Sequence, residues 1–495
     1  MLFACWACVD DTTNENFTLL NEVSFEGIED EYTDIYVDHL FSIHPTVKTT
    51  LQTEESLEYF WITYDKSTYQ EADTLSKEKN LDIMIHLTPG EHIMKFKAVD
   101  TLTGIYYEKE FIVNVVNEFS NGLMILAETD GKAVLDFWIP AKDEIISDVY
   151  GKLNDGDVLG TNPKRVYFNK YWTDITSEII VMCQDGEGGK ILDNITMTKR
   201  RNYKDMFFGT VPETIVPQAY YKSSMREYLV DNGLVYDRAT NSMTPDITVK
   251  PNLLVQNSTY AIADNADFSD GEDLPNRMVL YDNQNTCFYS LYNISTAFLT
   301  KVTKTNGLSY VNGGFFNPDQ VGMKCLYAGI TSRSSSGDKE YLGVFETQQG
   351  ERHLLRIGIG FWTDNDPSTY FKDLGNDLLS CENIELANTF ATSTQFSGYL
   401  FYAVGSKIYV YNSTSATGSE VYDLQNDDTA EYIIDHIEVE HAGNRLWVAF
   451  RNNSLTENKA GFCGLTVNTD GGLNLQRTIF HSQFADRIVD FESKY

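Results

Sequence analysis

The chain has 495 residues, 72 Asp plus Glu against 38 Lys plus Arg, and a formal net charge of −34. So acidic a surface repels phosphates and excludes nucleic acid as a partner, and no run approaches the ~18 consecutive apolar residues of a spanning helix. Aromatic residues make up 13 % of the chain and Pro numbers only 11, a composition that favours strands over helices and an all-β protein.

The first eleven residues, MLFACWACVDD, are short and apolar, then turn abruptly acidic. They read as the tail end of a secretory signal. Ala4-Cys5 and Ala7-Cys8 each resemble the lipobox of bacterial lipoproteins, in which the cysteine is acylated. Cys8 is favoured because Val9-Asp10-Asp11 follows it, like an acidic surface-export signal; Cys5 is the alternative because Leu2 stands three positions before it. Acyl chains there would hold the protein on a membrane without a transmembrane helix. Residues 1–20 are therefore expected to be residual signal, lipobox and polar tether.

Residues 21–118 are expected to form a first domain. Ile35–Val37, Leu57–Tyr64, His92–Val99 and Tyr106–Val116 read as strands separated by the turns Thr88–Glu91 and Asp100–Gly104. Short strands over about a hundred residues with one Trp, Trp61, point to an immunoglobulin-like sandwich. Leu87-Thr88-Pro89-Gly90, then Val99-Asp100 and Thr103-Gly104, with Glu58-Tyr59-Phe60-Trp61 as the Trp strand, resemble PKD-like domains. His92 stands where those domains often carry Tyr. With the Cys-Val-Asp-Asp start, this resembles the PKD-like family lipoproteins of Bacteroidetes.

Residues 119–495 read as recurrent hairpins. Gly122–Glu128 turns at Asp130-Gly131 into Ala133–Ile139; Glu178–Gln184 pairs with Lys190–Leu192, and Arg277–Tyr281 with Thr286–Ser290. Tyr341–Glu346 pairs with Arg352–Ile357, Gly398–Val404 with Lys407–Asn412, and Arg445–Phe450 with Gly461–Val467. A spacing of roughly 40–60 residues suits four-stranded blades, and the length gives a β-propeller of about seven. Ile488–Phe491 is expected to pair with the blade begun near Gly122 and latch the ring. Tandem sandwiches are the competing architecture.

No nucleophile elbow, P-loop or zincin motif occurs, so no catalytic residue and no cofactor is expected. In HIEVEH, His436 and His441 have opposite parity on a strand and point apart, so no shared metal is expected there. The acidic loop carrying Asp264, Asp267 and Asp270 is the calcium candidate, although its spacing is not that of an EF-hand. Asp423 and Glu438 are imaginable as a glycosidase pair, without geometry to support them. The five cysteines beyond the N-terminal stretch are expected to be small buried hydrophobes. Aromatic loop segments are the binding candidates: Tyr171 and Trp172, Tyr220 and Tyr221, Phe315 and Phe316, and Trp362.

The resemblance implies a lipid-anchored, non-enzymatic protein of the outer-membrane surface, an accessory of SusC/SusD-type importers. Its implied partners are a TonB-dependent outer-membrane barrel, a SusD-like lipoprotein and an oligopeptide or oligosaccharide ligand. The alternatives are a secreted propeller glycoside hydrolase or lyase, which needs convergent carboxylates at the ring axis, and a purely structural or adhesive surface protein.

Overall fold

The computed structural model describes residues 21–51, 54–65, 71–170, 177–207, 211–222, 226–239, 252–253, 259–268, 277–292, 299–303, 309–333, 338–360, 370–427, 429–440, 443–468 and 474–494. The chain divides into two compact units, Met1–Glu118 and Phe119–Tyr495.

The first unit is a β-sandwich. Its main sheet runs Glu31–Tyr36, Tyr106–Val116, Gly90–Asp100, Leu57–Asp65, Glu71–Ser76. The edge strand Glu31–Tyr36 lies parallel to Tyr106–Val116, and the other pairings are antiparallel. Two short pairs, Val23–Glu26 with Thr46–Thr49 and Leu40–Ile43 with Leu81–Met84, cover the inner face. From His92 to Asp100 the strand Gly90–Asp100 alternates strictly between buried and partly exposed positions, as a strand with one face in the core must. Trp61 is fully buried among Phe96, Phe111 and Val113, and its indole N–H donates to the Glu78 carbonyl at 2.9 Å. The large ring thus enters the core with its one polar atom satisfied.

The second unit is a seven-bladed β-propeller, as its own sheets establish. Seven successive sheets follow the chain, their central hairpins formed by Gly122–Thr129 with Lys132–Ile139, Glu178–Cys183 with Gly189–Asp193, and Arg226–Asp231 with Leu234–Ala239. Then come Arg277–Asp282 with Cys287–Tyr292, Lys339–Glu346 with Arg352–Ile359, Tyr399–Val404 with Lys407–Asn412, and Arg445–Asn452 with Ala460–Asn468. Six of these hairpins are those the sequence predicts. The third blade's hairpin is built on Asn232-Gly233, both at positive φ (48° and 77°), the turn an Asn-Gly pair makes at a two-residue hairpin.

Ring closure comes from the C-terminal strand. Arg487–Lys494 pairs antiparallel with Gly122–Thr129 and completes the first blade, as expected for the latch. Seven apolar layers, one between each pair of neighbouring blades, close the circle; the last joins Trp447 and Phe462 to Leu123, Trp138, Ile488 and Phe491. This explains the unbroken apolar run Ile179–Cys183 in a strand buried at all six positions: Ile179 and Val181 face the first blade while Ile180 and Met182 face the third. Of the five described cysteines, Cys183, Cys287, Cys325 and Cys463 are buried in strands, whereas Cys381 is half-buried in a loop.

Among the described residues no helix is long and apolar enough to cross a membrane.

Candidate functional site

Each blade sends one strand or segment to the ring axis, and together these enclose a cavity of about 310 Å³. The first blade contributes Asp490, Phe491 and Glu492; the second contributes Arg165 to Tyr167; the third, Tyr220 and Tyr221. The fourth contributes Asp264, Asn265 and Asp267, the fifth Leu326 to Ile330, the sixth Asn388 to Thr392, and the seventh His436 to Val439.

Five of the axial strands share a local irregularity, whereas the sixth blade's Thr389–Thr392 pairs in regular register. Where the five pair with the second strand of their blade, the register skips one residue: Lys164, Gln218, Leu326, Asp435 and Val489 are each left without a partner position. Such a bulge bends the strand and re-aims the side chains beyond it. The residue after the skip is Arg165, Ala219, Tyr327, His436 or Asp490, and four of these five line the cavity. The fourth blade has an irregular segment instead, hydrogen-bonded to the fifth: Asp267 N–H donates to the Ala328 carbonyl at 3.0 Å and Ala328 N–H to that of Asn265 at 2.9 Å.

Five carboxylates line the cavity (Asp264, Asp267, Glu438, Asp490, Glu492) against one guanidinium, Arg165, and one imidazole, His436. Lys164 neutralises Asp264 at 2.8 Å. Asp490, almost wholly buried, is held by two donors: Arg165 Nη1 reaches its Oδ1 at 2.7 Å, and Val166 N–H its Oδ2 at 2.9 Å. Burial disfavours the Arg165 charge, but Asp490 outweighs it and the guanidinium pKa is raised. His436 Nε2 lies 3.4 Å from Glu438 Oε2 and 3.6 Å from Asp490 Oδ1.

Three carboxylates crowded on one wall repel one another. Desolvation, then the charges of Glu438 and Asp490, push the Glu492 carboxyl well up. Desolvation raises Glu438 as well, opposed by the His436 hydrogen bond and reinforced by Asp490. On the opposite side, burial pushes the Tyr327 phenol up to about 12, and its hydroxyl sits 3.1 Å from Thr392 Oγ1. The arrangement is a polar, electronegative cup with neutral tyrosines on its rim strands, suited to a ligand carrying positive charge.

The aromatic candidates separate. Tyr220 and Tyr221 lie not in a loop but on the axial strand Pro217–Lys222, buried at 6 % and 4 % exposure. They pack into the layers on either side of their blade and also line the cavity. A two-sided apolar environment, rather than solvent, is what makes this Tyr pair a strand. Phe315 is exposed in a loop away from the cavity lining, and Phe316 packs against the layer holding Phe288 and Phe371. Tyr171, Trp172 and Trp362 lie outside the described residues, as do Cys5, Cys8, Asp270 and His441. Asp264 and Asp267 reach the cavity wall. Asp423 ends an outer strand, where it accepts from Ser406 at 2.7 Å, and does not meet Glu438. Arg165, Asp490 and Glu492 were not foreseen: a basic pair in PKRVYFN and alternating acids in IVDFE carry no local signal of convergence.

Residues 8–163 match the model of the PKD-like family. The match spans the sandwich, which is thus a PKD-like domain, and runs into the first blade and the start of the second. No functionally curated protein matches the chain. Among solved structures, a quinonprotein alcohol dehydrogenase-like protein of Bacteroides thetaiotaomicron aligns over 94 % of this chain and 97 % of its own at 12 % identity, TM-score 0.39. The β-propeller domain of Swd1 from Myceliophteria thermophila aligns over 68 % of this chain and 93 % of its own at 8 % identity, also at TM-score 0.39.

Proposed function

We propose that this protein is a non-enzymatic capture subunit displayed on the outer-membrane surface, whose propeller holds the cationic part of an oligomeric nutrient in its axial cavity. The excess of carboxylates over Arg165 and His436 in that cavity carries the reading. Buried carboxylates are costly unless a counter-charge compensates them, so a Lys, Arg or free amino group of a peptide would supply that charge. Oligopeptide is therefore favoured over neutral oligosaccharide. Acylation at Cys8, or at Cys5, would supply the anchor, and a TonB-dependent barrel with its SusD-like lipoprotein would take up the cargo, in keeping with the PKD-like match.

Calorimetric titration tests the ligand class. A basic oligopeptide is expected to bind with an affinity that falls as salt rises, while an acidic peptide and a neutral oligosaccharide do not; equal binding of all three would overturn the reading. A tagged copy recovered from outer membrane in mild detergent should bring a barrel and a second lipoprotein, and recovery as a lone monomer would refute membership of the complex.

One observation favours a second reading, a glycoside hydrolase. The donor atoms of His436, Glu438 and Asp490 lie within 4.8 Å of one another in a central cavity, near the roughly 5 Å carboxylate spacing of retaining enzymes. Against it, Arg165 and Val166 engage both oxygens of Asp490, which a nucleophile needs free. Release of reducing sugar from a glycan panel, lost in Glu438→Gln, would establish the enzyme instead.

A further inference from the structure

The geometry points to a site for a single first-row divalent metal ion, zinc foremost, held by His436, Glu438 and Asp490 on one wall of the axial cavity. The three donor atoms already lie within 4.8 Å of one another. The two separations from His436 Nε2, a long 3.4 Å hydrogen bond to Glu438 Oε2 and 3.6 Å to Asp490 Oδ1, are close to the edge of a tetrahedron with bonds of ~2.1 Å, which is about 3.4 Å. One imidazole and two carboxylates suit zinc and its neighbours better than calcium, which prefers oxygen alone.

The surroundings fit the same ion. His436 and Glu438 are two apart on Tyr432–Val439 and share a face, and the skip at Asp435 aims that face at the axis. Asp490 comes from the C-terminal latching strand, which pairs into the first blade, so the site straddles the seam where the ring closes. Its orientation is fixed from behind by Arg165 and by Val166 N–H, the outer-shell support that ligating carboxylates characteristically receive. Oδ1 keeps a second lone pair after accepting from Arg165. Glu438, Asp490 and Glu492 carry more negative charge than Arg165 balances, which a divalent ion redresses. Three protein ligands leave the fourth position facing the cavity, open to water or to a donor atom of a captured ligand. The site stands independently of the capture reading, since it needs no peptide.

Full-length protein stripped with a chelator is titrated with Zn²⁺ alone against a chromophoric competitor. His436→Ala is expected to weaken the tightest Zn²⁺ equivalent at least tenfold. The surface pairs His44–Asp82, His86–Asp38 and His481–Asp143 remain in that variant, so the difference between the two proteins reads the axial site. If His436→Ala does not fold, the isosteric Glu438→Gln carries the same comparison. X-ray absorption of the one-to-one complex should show nitrogen and oxygen neighbours at about 2.0–2.1 Å and no sulfur. Identical Zn²⁺ binding in parent and variant, or a sulfur shell, would overturn the proposal.

Discussion

The hairpins between blades and the strands at the ring axis belong to the same seven sheets, yet obey different rules. In the hairpins, both faces pack against neighbouring blades, pairing is regular in most, and apolar residues fill nearly every position, as in Glu178–Cys183 and Arg445–Asn452. In five of the axial strands one residue is skipped, polar and apolar positions mix, and charges gather, as in Pro163–Asn169 and Tyr432–Val439. Burial holds the ring together, and the irregular inner rim is released from that task to carry chemistry. The contrast implies that stability and ligand binding are separable in this protein.

The largest effect should come from the layer that closes the ring. Trp447→Ala removes an indole wedged between Trp138, Phe462 and Phe491 and is expected to lower propeller stability by about 3–5 kcal/mol. Denaturant unfolding followed by circular dichroism measures it, and a change below about 1 kcal/mol would break the comparison. The second effect is pH-dependent. Asp136 in the first blade is buried, with its Oδ2 unpaired, and desolvation raises its pKa to about 7 from 3.8. A carboxyl raised on folding adds full stability below its unfolded pKa and loses it as pH rises. The parent should therefore lose up to about 4 kcal/mol from this group between pH 4 and pH 7. Asp136→Asn should flatten that part of the profile; parallel stability curves for the two proteins would argue against a buried neutral acid.

Axial changes should be milder for the fold and stronger for ligands. Arg165→Met strips Asp490 of its guanidinium partner while Val166 N–H remains, a loss of about 1–3 kcal/mol. Affinity for a basic oligopeptide should rise at the same time, since Arg165 is the only guanidinium among the described residues lining the cavity; a fall in affinity would mean that Arg165 itself contacts the peptide. Smallest of all, Glu492→Gln, at a pH high enough to ionise this raised carboxyl, removes one of three crowded like charges and should stabilise by about 1 kcal/mol or less, with cation binding weakened. Thermal unfolding at constant pH checks the sign.

The sandwich and the hairpins were legible because burial on one or both faces writes itself into local patterns. Trp61 marks the first core, and Gly398–Val404 with Lys407–Asn412 shows a whole blade centre in fifteen residues. The third blade's hairpin was missed, although Asn232-Gly233, a turn that only residues tolerant of positive φ make readily, is the signal that marks it. The axial strands were not legible. A skipped residue breaks the two-residue period on which strand reading depends, and Tyr220-Tyr221 then looks like a loop.

By itself the sequence determined the strand content, most turn positions and the acidity, because each is set by neighbours along the chain or by composition, and chain length suggested about seven blades, a number the sheets themselves decide. The latch at Ile488–Phe491 was within reach for the same reason: a lone terminal strand needs an edge to pair with. Only the tertiary structure decided that His436, Glu438 and Asp490 meet, with Arg165 behind them. A closed ring brings together residues from opposite ends of the propeller, and no periodicity along the chain encodes which side chains face a common axis once bulges have turned them.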